Sequence, residues 1–341
     1  MKAKSVIYLL VLFALTSCNK KNNSGTGDQL PSNLTVSAIV NPDNSGNVSF
    51  TATATNTVLF TFSMGDGGVN QLTTTGLLTY RYPSSGTYTV TVVAKSATGQ
   101  TISKSITISV TVVLSVVWSD EFDTPGLPDA SKWGYDIGAG GWGNNELQYY
   151  TNRVDNASVS GGTLKITAKA ESYSGSQYTS ARLLTKAKYS FKYGKIEARA
   201  KLPAGVGTWP AIWMLGDNIS SVGWPACGEI DVMEHVGSQL NKIYATLHHP
   251  GHSGGNGDGS TTIISNATTA FHLYAMEWSA TTIRFLVDDV PFYTFSNTSS
   301  LPFNQNFFII LNVAMGGNFG GPVDPGFVSA AMEIDYVRVY Q

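Results

Sequence analysis

The stretch Gly228-Glu229-Ile230-Asp231-Val232-Met233-Glu234-His235 carries three carboxylates between apolar residues. Buried charge is costly unless it is used, and only 13% of this chain is charged. Because side chains alternate along a strand, Glu229 and Asp231 share one face and Glu234 would point to the other. A β-bulge adds one residue and corrects this phase. The stretch therefore predicts a bulged strand whose three carboxylates line one face.

Composition around this strand favours β-sheet. The 341 residues include 35 Gly and 16 Tyr, and 42% of the chain is hydrophobic. The charged fraction lies well below the usual level of about 25%, and short alternating runs recur between turn-forming clusters. The sequence thus predicts an all-β protein with a large antiparallel β-sandwich, a jelly roll, and a smaller N-terminal immunoglobulin-like β-sandwich.

Charge is spread unevenly along the chain. Residues 114–341 hold 14 Lys and Arg against 20 Asp and Glu, a balance of −6. This part would repel a polyanion, so we expect no nucleic-acid partner. All seven Trp also lie there, and such an aromatic surplus suits either a ligand surface or a buried core.

The N-terminus is typical of an export signal. Lys2 and Lys4 precede an apolar run over residues 6–15, which is shorter than the roughly 20 residues of a membrane span. The tetrapeptide Leu15-Thr16-Ser17-Cys18 resembles the lipobox of bacterial lipoproteins, in which the Cys carries the lipid. We expect an exported lipoprotein at the outer membrane or cell surface, with the periplasmic face and a plain secretory signal as alternatives. Residues 1–18 would be the signal peptide, and Cys227, then the one remaining Cys, would be structural.

Residues 19–30 are polar and rich in Gly, Ser and Asn, which predicts a flexible linker. Residues 31–113 follow as short alternating strands. The segments Thr61-Phe62-Ser63-Met64-Gly65-Asp66-Gly67 and Tyr82-Pro83-Ser84-Ser85-Gly86-Thr87-Tyr88-Thr89-Val90 resemble the two signatures of a PKD or immunoglobulin-like module, although Ser63-Met64 departs from the acidic and aromatic pair usual there. A spacer role is expected, with carbohydrate binding as the alternative.

Residues 114–341 resemble glycoside hydrolase family 16, in particular its laminarinase branch. The bulged glutamate-isoleucine-aspartate-x-x-glutamate string is the most specific signature. Further matching segments, in family order, are Trp118-Ser119-Asp120-Glu121-Phe122, Gly141 to Tyr150, Lys195 to Pro203, Trp209 to Leu215 and Asp335 to Tyr340. The resemblance implies a retaining endo-hydrolase acting on a neutral β-1,3-glucan such as laminarin. The alternatives are a mixed-linkage glucanase, a galactan hydrolase, or a carbohydrate-binding lipoprotein without catalysis.

The resemblance also implies roles for single residues. Glu229 would be the nucleophile, Glu234 the general acid and then base, and Asp231 the neighbour that orients Glu229. Because crowded carboxylates cannot all ionise, one pKa should rise, and we assign it to Glu234. By the same resemblance, other side chains would bind sugar: Trp209, Trp213 and Trp224 by stacking, and Asn145, Arg182 and His248 by hydrogen bonds. Each Trp could instead be core, and His248 a loop brace.

No cofactor is expected for catalysis, but the resemblance implies a structural calcium site far from the cleft. Its ligands would be Glu121, the carbonyl of Gly162 and Asp335, which would tie the two ends of the domain together. The alternative is that the two acids are ordinary surface residues. We expect a monomer.

Three weaker patterns are set aside. Residues 138–143 fit a dinucleotide-binding glycine pattern, but no βαβ unit surrounds them, so a cleft loop is expected. Residues 251–255 fit the esterase pattern G-x-S-x-G, yet no helix pattern follows. His248, His249 and His252 suggest zinc but show no acidic or Cys partner at a zinc-type spacing, so we interpret this segment as a polar loop.

Overall fold

The structure is a computed structural model that describes residues 30–341. The predicted signal peptide, Cys18 and all but the last residue of the predicted linker lie outside the described residues. Strands make up most of the described chain, which confirms the all-β prediction. Within residues 30–341, no helix is both long and apolar enough to cross a membrane.

The first part of the described chain forms two small sheets. Their strands are β1 (Ser32–Val40), β2 (Asn47–Thr55), β3 (Leu59–Ser63), β4 (Gln71–Thr73), β5 (Leu77–Arg81), β6 (Gly86–Lys95) and β7 (Thr101–Val110). One sheet has the order β1-β2-β5 and the other β4-β3-β6-β7. Inward-facing residues such as Phe50, Phe62 and Val92 fill the space between them. Met64, the departure from the module signature, is buried in this core, and its carbonyl accepts a 2.9 Å hydrogen bond from Tyr82 Oη.

The rest of the chain forms two larger sheets. Their strands are β8 (Val116–Asp120), β9 (Gly134–Asp136), β10 (Gln148–Tyr150), β11 (Ala157–Ser160), β12 (Thr163–Tyr173), β13 (Ser176–Ser180), β14 (Arg182–Leu184), β15 (Gly194–Lys201), β16 (Thr208–Gly216), β17 (Glu229–Glu234), β18 (Lys242–His248), β19 (Asp258–Ile263), β20 (His272–Trp278), β21 (Thr282–Val287), β22 (Val290–Ser296), β23 (Phe307–Met315) and β24 (Ser329–Tyr340). The helical elements are α1 (Ile219–Val222), α2 (Gly317–Gly320) and two 3₁₀ turns, Gly141–Gly143 and Gly254–Asn256.

A ten-stranded sheet runs in the order β10-β13-β12-β24-β15-β20-β21-β22, with β8 and β11 paired beside this path. The seven-stranded sheet has the order β19-β18-β17-β16-β23-β14-β9. Strand β12 alternates buried and partly exposed positions, as expected for a strand with one face in the core. The two sheets enclose one large apolar cluster, which includes Ile166, Ile196, Ile230 and Leu311. This is the predicted jelly-roll sandwich.

Strand β23 is buried at all nine positions. Its sequence, Phe-Phe-Ile-Ile-Leu-Asn-Val-Ala-Met, is almost wholly apolar, as is typical of a strand covered on both faces. One face, with Ile309 and Leu311, enters the core between the sheets. The other, with Asn312 and Ala314, lies at the bottom of a cleft on the outer face of the seven-stranded sheet. The centre of this sheet therefore links the core directly to the cleft.

Candidate active site

Strand β17 is irregular at the predicted position. It pairs with β16 as Met233↔Ile212 and then Asp231↔Trp213, so Val232 is the extra residue in the ladder. The pairing with β18 shifts within the same segment, between Asp231 and Glu234. Val232 and Met233 are consecutive, yet both belong to the buried core. The bulge thus sends two successive side chains inward and returns Glu234 to the face of Glu229 and Asp231.

All three carboxylates line one cleft of about 760 Å³. Strands β16, β17, β18 and β23 form its floor, and the loops at residues 142–146, 254–257 and 318–319 contribute its walls. Trp209, Trp213 and Trp224 all line this cleft, and none of them is fully buried. The structure therefore places the three predicted stacking residues at the carboxylates and not in the core, while their binding of sugar stays a prediction.

Indole N–H groups hold the two glutamates. Trp224 Nε1 donates a 2.6 Å hydrogen bond to Glu229 Oε2, and Trp209 Nε1 donates one of 2.9 Å to Glu234 Oε1. Thr246 Oγ1 donates to the other oxygen of Glu234 at 3.3 Å. Each glutamate is thus oriented by a donor on a neighbouring segment of the cleft.

His248 of β18 lies next to the carboxylate row. Because β17 and β18 pair as Glu229↔His248, its Nε2 lies 3.2 Å from Asp231 Oδ2 and 3.9 Å from Glu229 Oε1. Its ring is also 5.9 Å from that of Trp224, centroid to centroid. The side chain therefore contacts the carboxylate cluster and also lines the cleft, so its hydrogen bond to substrate stays a prediction.

Burial raises the pKa of all three carboxyl groups. The Asp231 charge raises the pKa of Glu229 further, and that of Glu234 does the same for Asp231. The hydrogen bonds from Trp224 and Trp209 act in the opposite direction on the pKa of Glu229 and Glu234, as does His248, without cancelling the effect of burial. The sequence predicted a raised pKa for Glu234 alone, whereas the pKa is raised at all three carboxyl groups because they share one buried site.

The far side of the cleft holds Arg182, the predicted hydrogen-bonding cation. Its Nε lies 3.0 Å from Asp136 Oδ2, and its guanidinium lies over the rings of Trp213 and Trp142, at 4.6 and 5.1 Å from their centroids. Trp213 Nε1 donates a 2.7 Å hydrogen bond to Asn312 Oδ1. These contacts fix the aromatic floor beside the carboxylates.

Asn145 does not line the cleft. Its amide instead donates a 2.8 Å hydrogen bond to Asn318 Oδ1, which joins the two wall loops. Its neighbours Asn144 and Glu146 are the residues of this loop that face the cleft. Burial also raises the pKa of Glu146, which accepts hydrogen bonds from Gln148 Nε2 at 2.6 Å and Tyr150 Oη at 3.1 Å. The sequence analysis predicted Asn145 in this loop and not Glu146 as a residue of the cleft. The position of Glu146 directly after Asn145 was the signal that could have indicated it.

The residues of the predicted calcium site lie on or next to three neighbouring strands of the ten-stranded sheet. Strand β24 pairs with β12 up to Ile334↔Leu164 and with β8 from Val337↔Asp120. Asp335 therefore lies on β24 between its pairings with these two strands, Glu121 directly follows β8, and Gly162 directly precedes β12. Two carboxylates and a carbonyl suit a hard cation, so the donor set fits. Each carboxylate also has an arginine partner, Arg338 for Glu121 at 2.8 Å and Arg199 for Asp335 at 2.6 Å. Calcium binding stays a prediction.

The interpretation of the histidine loop needs a correction. The sequence showed no acidic partner at a zinc-type spacing, but Asp258 lies 2.9 Å from His249 Nε2 and 3.0 Å from His252 Nδ1. Pairing of β18 with β19 brings Leu247 opposite Asp258, so the partner returns on the second strand of a hairpin. A local spacing rule misses contacts that such pairing creates.

The chain is similar in sequence and in structure to known proteins. The family described as "Glycosyl hydrolases family 16" matches residues 144–338, and the family "Beta-glucan synthesis-associated protein SKN1/KRE6/Sbg1" matches residues 54–230. A "Beta-glucanase" of Rhodothermus marinus is 49% identical, over 66% of this chain and 85% of that protein. A "Glucan endo-1,3-beta-glucosidase" of Cryptopygus antarcticus is 39% identical, over 65% and 90%. The X-ray structure of the laminarinase from Rhodothermus marinus is 48% identical and aligns with a TM-score of 0.65, covering 67% of this chain and 98% of that one.

Proposed function

This chain belongs to glycosyl hydrolase family 16 and is a glycoside hydrolase, and on that premise we propose that it is a retaining endo-hydrolase of β-1,3-glucans such as laminarin. One observation carries the proposal: Glu229, Asp231 and Glu234 lie together on a bulged strand at the floor of a Trp-lined cleft. The family match spans these residues, and the relatives with glucanase names align with about two thirds of the chain.

In the proposed first step, a Glu229 oxygen attacks the anomeric carbon and the bond to the leaving glycosidic oxygen breaks. Glu234, protonated at that moment, transfers its proton to the leaving oxygen. Burial raises the pKa of Glu234, which favours the protonated form that this step requires. The product is a covalent glycosyl ester on Glu229 and a shortened chain with a free hydroxyl group.

In the second step Glu234, now a carboxylate, takes a proton from water while the water oxygen attacks the same carbon. The ester bond breaks, Glu229 regains its charge, and the configuration at the anomeric carbon is that of the substrate after two inversions. Asp231 orients the cluster through its own charge and through His248 at 3.2 Å. Trp224 Nε1 favours the ionised form of Glu229, which attacks in the first step and is released in the second.

The substrate proposal is tested with a panel of polymers. Purified protein is incubated with laminarin, barley mixed-linkage glucan, agarose and carrageenan, with a Glu234→Gln variant as the inactive control. We expect early release of mixed oligosaccharides from laminarin, and proton NMR should show the β-anomer first. Exclusive activity on a galactan, or glucose as the sole early product, would overturn the proposed specificity. An α-anomer as first product would exclude retention, and binding without hydrolysis would favour the carbohydrate-binding alternative.

We also propose that the enzyme is exported and anchored by a lipid on Cys18. The apolar run over residues 6–15 and the tetrapeptide ending at Cys18 support this proposal. Labelling of producing cells with radioactive palmitate should mark the protein, and Cys18→Ala should abolish the label. Protease treatment of intact cells then separates a surface location from a periplasmic one, since only a surface protein is digested.

A further inference from the structure

A second cluster of potential metal ligands lies beside the cleft, outside the carboxylate row. It consists of His249, His252 and Asp258, whose ligand atoms all lie within 4.8 Å of one another. His249 Nε2 is 2.9 Å from Asp258 Oδ2, and His252 Nδ1 is 3.0 Å from Asp258 Oδ1. The two imidazole rings are stacked at a centroid distance of 4.8 Å. Three nitrogen and oxygen donors thus converge on one point.

The backbone holds this arrangement in place. His249 and His252 exchange two backbone hydrogen bonds of 2.8 and 2.9 Å, which close a tight turn and bring both rings to the same side. Asp258 is fixed separately, because it begins β19 and pairs with Leu247 of β18. The donors are therefore positioned by a hairpin and a turn, so a ligand would find the site already formed.

The two histidine side chains differ in their exposure to solvent. The His249 side chain is 7% exposed and packs against the rings of Phe295 and Phe303, at centroid distances of 6.1 and 5.7 Å. The His252 side chain is 53% exposed, which leaves a route from solvent. His249 is thus held in place, whereas His252 can be reached from solvent, and Asp258 offers both carboxylate oxygens. Such a set can bind a metal ion and leave one coordination position open.

We propose that His249, His252 and Asp258 bind a divalent transition metal ion of the zinc class, with water as the fourth ligand. Imidazole nitrogen with carboxylate oxygen suits zinc better than calcium, which takes oxygen ligands. In a tetrahedral site with metal–ligand distances of about 2.0–2.1 Å, the ligand atoms are roughly 3.3 Å apart. The observed nitrogen–oxygen separations of 2.9 and 3.0 Å need only small shifts to reach that value.

The ion would brace one wall of the cleft. Gly254, Gly255 and Gly257, within the segment that the three ligands span, all line the cleft. Gly257 also lies against the His248 ring, where an added Cβ would come within 2.7 Å of Nδ1. Metal binding would tie this glycine-rich segment to β18 and β19 and so hold the wall next to His248.

The test is direct metal binding to the purified mature chain. The protein is stripped with a chelator, dialysed into buffer with calcium so that any calcium site is filled, and titrated with zinc chloride by calorimetry. We expect one zinc ion per chain. His252→Ala and Asp258→Asn should each weaken binding by about tenfold or more, since each removes a ligand. His272→Ala is the matched control, because His272 also pairs with an aspartate, Asp288 at 2.7 Å, but belongs to no group of three potential ligands within residues 30–341.

Cobalt gives an independent readout that does not depend on activity. Stripped protein loaded with Co²⁺ should show the visible absorption of a nitrogen- and oxygen-ligated ion, and His252→Ala should lose it while His272→Ala keeps it. The carboxylate row and His248 also hold potential ligands. Zinc binding that survives His252→Ala and Asp258→Asn but disappears in Glu229→Gln would place the ion there and overturn the proposal. Absence of zinc uptake by the unmodified chain would overturn it as well.

Discussion

Trp224 Nε1 donates a 2.6 Å hydrogen bond to Oε2 of Glu229, although Trp224 lines the cleft and is itself 48% exposed. One residue therefore presents a ring to the cleft and an N–H group to the proposed nucleophile. The hydrogen bond lowers the pKa of Glu229, opposing burial.

Trp224→Phe separates these two contributions. The ring stays and the donor is lost, so the pKa of Glu229 should rise further. Because the nucleophile acts as a carboxylate, the acidic limb of the kcat/KM profile should move to higher pH, with a loss of about tenfold below the optimum. Trp213→Phe is the control, since its N–H bonds to Asn312 and not to a carboxylate. An equal shift in both variants would contradict the assignment.

Glu229→Gln and Glu234→Gln should each lower turnover on laminarin by roughly a thousandfold or more while the fold persists. Azide should partly restore cleavage to Glu229→Ala and give a product of inverted configuration. Hydrolysis rates and NMR of the rescued product are the measurements. Near-normal activity in either Gln variant would refute the two-glutamate mechanism.

The same Gln variants should melt at higher temperature than the unmodified protein at neutral pH. Burial raises the pKa of Glu229 and Glu234 above their unfolded values, so the folded state binds protons more tightly. Their contribution to stability is complete below the unfolded pKa and is lost as the pH rises through the folded one. The melting difference should therefore shrink near pH 4, where the carboxyls are protonated. Calorimetry at both pH values checks this, and a constant difference would count against titration as its cause.

Chelation should lower the melting temperature if calcium joins Glu121, Gly162 and Asp335, because an ion that binds only the folded state stabilises it. Asp335→Asn should remove the response to calcium. Glu333→Gln is the matched control, since Glu333 lies on the same strand and is paired with Lys201 at 2.7 Å. Melting curves that do not change between chelator and calcium would argue against the site.

Deletion of residues 31–113 should leave hydrolysis of soluble oligosaccharides largely unchanged. The front strands have a hydrophobic cluster of their own, distinct from that of the large sandwich, and separate cores favour independent folding. Rates on soluble and insoluble glucan are compared for the two proteins. A loss confined to insoluble glucan would indicate that the module binds carbohydrate, and failure to fold would contradict a boundary near residue 113.

Local sequence determined the all-β class, the candidate carboxylates and the bulge. Successive side chains of a strand point to opposite faces. The sequence alone therefore shows that Glu234 would point away from Glu229 and Asp231 in a regular strand, and that a bulge would bring it back. The strand-like runs of the sequence over residues 163–169, 194–201, 281–288, 307–313 and 332–340 correspond to β12, β15, β21, β23 and β24, although only β15 has the same bounds. The ends of a strand are harder to predict from sequence, because its neighbouring strands decide where the hydrogen-bonded pairing stops.

Only the tertiary structure decided which distant groups meet. His248 reaches Asp231 because β18 pairs with β17. Asp258 reaches His249 and His252 through the β18–β19 hairpin, and Asn145 bonds to Asn318 of the other wall loop. The raised pKa values of Glu229, Asp231 and Glu234 also depend on the tertiary structure, because residues far apart in sequence bury these carboxyl groups. Residue type and spacing determine what chemistry a chain can carry. Sheet pairing determines which side chains share a low-dielectric site, and there their charges interact strongly enough to matter.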